Sequence, residues 1–88
     1  MAIKGLEKLE NTLKKYNGED AVISTFHKLY GNQKIKCELD CITDEARIGF
    51  VIKNGQEIYM HKDEIKEFNV DNGLSFEDDV MRIDVQIK

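Results

Sequence analysis

From Lys34 onward the chain places an apolar side chain at every second residue, and that period constrains the fold more than any other feature of the sequence. Ile35, Cys37, Leu39 and Cys41 alternate with Lys36, Glu38 and Asp40. Ile48, Phe50 and Ile52 form a second row, Ile58 with Met60 a third, and Met81, Ile83, Val85 and Ile87 the most regular of all. Successive side chains of a strand point to opposite faces, so this alternation describes half-buried strands with one wet face. Residues 33–88 therefore read as an antiparallel β-meander. A chain of 88 residues buries only roughly two-thirds of its unfolded surface and has room for one core, so 1–88 is expected to be a single domain.

Before Lys34 the period is helical. Ile3, Leu6, Leu9, Leu13 and Tyr16 recur at steps of three and four, which places them on one face of a helix over residues 1–17. Glu7, Lys8, Glu10, Lys14 and Lys15 fall mainly elsewhere, Lys14 and Lys15 suit the C-terminal end of the dipole, and Asn17-Gly18 stops the helix. An isolated helix of this length is marginal in water, so its stripe must dock, either on the protein's own sheet or on another copy.

Residues 19–31 support two readings. Asn17 as a cap, acids in a first turn and Gly31 as a stop favour a second helix, whereas the run Val22-Ile23-Ser24-Thr25-Phe26 favours a strand. The β-branched run weighs slightly more, and both readings stand.

The hairpin around Asn54-Gly55 yields a register. Directly opposed residues share a face. A two-residue loop would set Phe50 against Tyr59, whereas the three-residue loop Lys53-Asn54-Gly55 sets Phe50 against Ile58 and Ile48 against Met60. The second keeps the apolar rows together and predicts a bulged turn with Gly55 at positive φ. Gly49, on the opposite face, eases a sharp bend. Beyond it, Lys62–Glu67 reads as one helical turn, followed by short strands around Phe68 and Leu74–Phe76. The fold class is α+β: an N-terminal amphipathic helix packed on a strongly bent antiparallel sheet or small open barrel of about five strands, plus a C-terminal hairpin.

Composition and spacing exclude more chemistry than they support. With 41% hydrophobic and 34% charged residues the chain is too apolar for disorder and too polar for a membrane protein, and no run approaches the ~18 apolar residues of a spanning helix. Two cysteines without an export signal point to a reducing cytoplasm. On a strand, Cys37 and Cys41 lie ~13 Å apart, too far to bridge or to share one tetrahedral metal, so both are expected in the inward row. His27 and His61 are the only imidazoles, and neither stands in a metal-ligand spacing; a small metal-dependent enzyme would have to combine His61, Asp63 and the Cys37 region. Asp71-Asn72-Gly73 fails as a calcium loop, because aligning its glycine puts Phe68 and Val70 where oxygen ligands belong. Glu77-Asp78-Asp79 leaves only weak cation binding open. No phosphate loop or nucleophile motif occurs, so no catalytic, metal or cofactor site is assigned.

Charge is uneven: residues 1–36 hold seven lysines and four acids, whereas 37–88 hold six basic and 13 acidic residues. Lys4, Lys8 and Lys15, with Lys14, Lys28, Lys34 and Lys36, read either as a solvated helix and strand face or as a small patch for phosphates or an acidic partner.

Read with a strand over 21–26, the order of elements resembles the Sm-like small barrel, whose bacterial members include Hfq. The nearest local likeness is Gln56-Glu57-Ile58-Tyr59-Met60-His61 before a short turn and Ile65-Lys66-Glu67-Phe68. Tyr59 and His61 match a Tyr-Lys-His tripeptide of that family, and Met60 stands where it has lysine. The resemblance implies a cyclic oligomer binding single-stranded RNA, with Tyr59 and His61 near the nucleotide and Lys4, Lys8 and Lys15 on the helix face. The residues themselves point to a non-catalytic binding or assembly module that associates with itself, for which the strand Met81–Ile87 offers an edge to a neighbouring copy.

Overall fold

The computed structural model describes residues 4–52, 55–71 and 73–88. Its elements are α1 (Leu6–Lys15), β1 (Asp20–His27), β2 (Gly31–Glu38), β3 (Cys41–Thr43), β4 (Arg47–Val51), β5 (Glu57–His61), a 3₁₀ turn (Lys62–Glu64), β6 (Glu67–Asn69), β7 (Leu74–Glu77) and β8 (Met81–Ile87). The class is α+β. The strands form two antiparallel sheets, one ordered β2-β1-β8-β7-β6 and one ordered β3-β4-β5. No helix among the described residues is long and apolar enough to cross a membrane.

The helix starts later than its periodicity predicts. Gly5 has φ 84°, a left-handed conformation that a helix interior does not accommodate, so the helix begins at Leu6; Ala2 and Ile3 lie outside the described residues. Lys8 N–H donates to the Gly5 carbonyl (3.0 Å), closing the first turn. Leu6, Leu9 and Leu13 are buried, with Leu9 and Leu13 at 0% exposure, so the stripe docks on the protein's own strands. Asn17 caps no second helix. Its side-chain carbonyl instead accepts the Cys41 N–H at 2.8 Å, tying the end of α1 to the start of β3.

Residues 20–27 are the strand β1, as the β-branched run indicates, with Ala21, Ile23 and Thr25 buried. Gly31 opens β2 rather than ending a helix.

The alternating stretch from Gln33 to Thr43 is two strands, not one. Leu39 is still bonded on the β1 side, its N–H to the Glu19 carbonyl (2.9 Å) and its carbonyl to Gly18 N–H (2.8 Å). The next carbonyl, that of Asp40, already accepts the Val51 N–H of the β4 side at 2.8 Å. The chain thus changes sheets between two residues without a glycine, and the expected five strands before the C-terminal hairpin become six. The meander over 33–88 is likewise divided, into β3-β4-β5 and β6-β7-β8.

The β4–β5 register is the predicted one: Phe50 faces Ile58 and Ile48 faces Met60. Gly55 has φ 82°, while Lys53 and Asn54 lie outside the described residues. Gly49 faces Tyr59, and a Cβ built on it would lie 2.5 Å from Tyr59 Cα and closer still to the Ile58 carbonyl. Only glycine lets the two strands approach this closely.

β8 is not an edge. It lies between β1 and β7, with Ile23 facing Val85 and Phe76 facing Ile83, so its backbone groups are already paired and cannot recruit a neighbouring copy. Side-chain alternation does not reveal this, because an interior strand with one wet face looks like an edge strand with one.

One apolar cluster joins the helix and both sheets. It includes Leu9, Leu13, Ile23, Ile48, Phe50, Met60, Ile65, Phe76 and Ile83, all at most 2% exposed. Phe50 of β4 and Phe76 of β7 bring the sheets together with ring centroids 6.2 Å apart. Each such side chain contributes about 1.5–3 kcal/mol by leaving water. At the rim, Lys62 of the 3₁₀ turn forms an ion pair with Glu10 of α1.

Candidate functional site

An open cleft of about 320 Å³ lies where the turn end of β1 and β2 meets β5, lined by Thr25, His27, Tyr30, Gln33, Gln56 and Tyr59 among others. Each wall supplies an aromatic ring. Tyr59 reaches it because its neighbours Ile58 and Met60 face inward, Met60 at 2% exposure. The residue standing where the resembled family has lysine is thus a core residue, while Tyr59 and His61 share the opposite face of β5.

Tyr59 is held from several sides. Its ring meets His61 edge-on, with centroids 5.7 Å apart, and the Arg47 guanidinium lies 5.1 Å from its centroid. Arg47 is in turn fixed by Asp44 (2.9 Å) and Glu57 (3.2 Å). The backbone N–H groups of Ala46 and Arg47, together with the Arg47 side chain, hold the Asp44 carboxyl below the usual carboxylate range. The Asp44 hydrogen bond holds the Arg47 guanidinium more firmly protonated than usual. Arg47 therefore positions Tyr59 and is not a loose cation for anions.

The facing wall is equally organised. His27 Nδ1 accepts the N–H groups of Leu29 (3.0 Å) and Tyr30 (3.3 Å), so this nitrogen carries no proton and Nε2–H is the ring's donor. The Tyr30 ring packs on His27 with centroids 4.5 Å apart. Rings, two glutamine amides and an imidazole N–H suit contact with a flat, polar-edged group.

The remaining candidate residues stand apart from this cleft. Lys8 and Lys15 are exposed on the side of the helix turned away from Leu6, Leu9 and Leu13, Lys4 is exposed ahead of Gly5 and so not on the helix face, and none of the three lines the cleft. Lys15 Nζ instead lies over the Tyr16 ring at 5.7 Å. Cys37 is buried on β2. Cys41 is half-buried, with its thiol donating to the Leu13 carbonyl (3.3 Å). Burial, aided by the nearby Asp40 charge, pushes this thiol up to about 11, so near neutrality it stays protonated and is a poor nucleophile. Among the described residues no three His, Cys, Asp or Glu side chains converge to hold a metal ion. In the acidic turn, Asp78 Oδ1 accepts the N–H groups of Val80 (2.9 Å) and Met81 (2.8 Å), which is turn chemistry.

His27 and Tyr30 are the residues that sequence reasoning missed. The available signal was Leu29-Tyr30 ahead of Gly31: two large apolar side chains in a turn, with no period to bury them. Comparison with protein-family models, with curated proteins and with solved structures finds no match to this chain.

Proposed function

We propose that this chain is a non-catalytic binding and assembly module that associates with copies of itself, built as a small open barrel whose two sheets continue through Leu39 and Asp40. The observation that carries this reading is the distribution of exposed apolar side chains. Among the described residues, the large hydrophobics that stay exposed are Phe26, Leu29, Tyr30, Tyr59 and Val80. All but Tyr59 belong to the turn end of β1, β2 and β8, and Tyr59 faces that end across the cleft. Exposed apolar side chains gathered at one end, on a molecule whose helix buries Leu6, Leu9 and Leu13 in its own core, fit a contact surface better than chance exposure. That neither Cys37 nor Cys41 is in a disulfide fits a reducing cytoplasm. Sedimentation velocity across a hundredfold range of protein concentration tests the reading: a rising weight-average mass is expected, and a monomer throughout removes self-association.

A second reading, an Sm-like binder of single-stranded RNA, draws support from the cleft, since Tyr59, Tyr30 and His27 offer rings on which bases stack. It expects short oligoribonucleotides to be retained at low salt, released as salt rises, and lost on Tyr59→Ala. Absence of retention at low salt eliminates it.

A further inference from the structure

The β1–β2 turn and the β7–β8 turn form one surface, because Lys28 N–H donates to the Val80 carbonyl at 2.9 Å. Around that bond stand Leu29 (80% exposed), Tyr30 (84%), Val80 (47%) and Phe26 (38%). Both turns are braced by side-chain hydrogen bonds. His27 Nδ1 accepts two backbone N–H groups in the first, and Asp78 Oδ1 accepts two in the second. The apolar side chains are therefore presented in a fixed arrangement, which lowers the entropy lost on contact.

The charges at the rim have opposite signs. Lys28, on the first turn, makes no ion pair among the described residues. Asp79, beside Val80 on the second, has a side chain 80% exposed, and among the described residues its ion-pair partner is Lys66 Nζ at 3.9 Å. We infer that this surface is a two-fold contact between two copies of the chain, with Leu29, Tyr30, Val80 and Phe26 at its centre and Lys28 of each copy against Asp79 of the other. A two-fold axis through a patch that carries one basic and one acidic side chain brings unlike charges together twice, so the patch complements itself. Four apolar side chains are far fewer than the ~20–30 residues a side of a standard interface, so the dimer is weak and concentration-dependent.

The inference rests on the self-associating reading above, and the test separates the two. Sedimentation velocity is run on the wild type, Leu29→Ser/Tyr30→Ser, Lys28→Glu and Lys28→Glu/Asp79→Lys, with circular dichroism and a thermal melt verifying the fold of each. The wild type is expected to dimerise as concentration rises and Leu29→Ser/Tyr30→Ser to stay monomeric. Lys28→Glu is expected to weaken the dimer by roughly tenfold through its two symmetry-related contacts, and the charge swap to recover most of that loss. A folded double-serine variant that associates like the wild type, or a charge swap no better than Lys28→Glu, overturns this surface and leaves self-association standing. A wild type that stays monomeric overturns both.

Discussion

The helix stripe and the turn surface are both clusters of large apolar side chains, and they meet opposite ends. Leu6, Leu9 and Leu13 are 0–4% exposed, whereas Leu29 and Tyr30 are 80% and 84% exposed. The difference lies in spacing. Leucines three and four apart form a face that can meet a matching row on the sheet, and they do. Leu29 and Tyr30 sit in a turn, where consecutive side chains diverge and no single layer of the core can receive them. Composition treats the two clusters alike; periodicity separates structural apolar residues from those left available for contact.

The contrast can be broken by mutation, and the largest effect is expected in the helix. Leu9→Ala should cost about 3 kcal/mol through lost burial and a residual cavity, seen as a lower midpoint in urea at unchanged slope. Gly49→Ala should follow at about 2 kcal/mol, because the added methyl meets the β5 backbone, which cannot rotate away as a side chain would. Asn17→Ala, which leaves the Cys41 N–H without its protein acceptor, should cost about 1 kcal/mol in the same assay. Leu29→Ser should change stability by no more than about 0.5 kcal/mol, since the side chain it removes is already in water. A Leu29→Ser cost near that of Leu9→Ala would erase the distinction between the clusters.

Alkaline pH sharpens it from another side. The Cys41 thiol titrates near 11 in the folded protein, above its ordinary value of about 9, because burial disfavours the thiolate. A raised folded-state value means stability that is full below pH 9 and falls as pH rises through 11. Urea melts between pH 8 and 11 should show that decline, and Cys41→Ala should flatten it. Cys41 should also react with iodoacetamide far more slowly at pH 8 than after unfolding.

Much of the fold was legible in the residues. Alternation located the strands that carry Ile48–Phe50, Ile58–Met60 and Met81–Ile87, and face parity set Phe50 opposite Ile58. The break at Leu39–Asp40 was not legible, because both residues keep the alternation: Leu39 stays inward and Asp40 outward while the hydrogen-bonding partner changes. The interior position of β8 escaped for a related reason. Arg82, Asp84 and Gln86 advertise a wet face, but lateral partners bond through the backbone and leave no mark on side-chain pattern. Of the candidate site, Tyr59 was identified by likeness to a motif. His27 and Tyr30 became visible only when the turn that carries them met β5 in space.

The placement of β1 between β2 and β8 has a consequence for synthesis. One flank of β1 is covered at once by the adjacent hairpin, but the other waits for a partner made much later, Ile23 for Val85 and Ala21 for Ile87. At ordinary ribosomal speeds of 5–20 residues per second that interval is roughly 3–12 s, during which a bare row of amides and carbonyls is open to any extended segment nearby. The nascent chain is therefore most exposed to mispairing in the seconds before its eighth strand emerges, and whatever shields β1 then governs how much correctly folded protein is made.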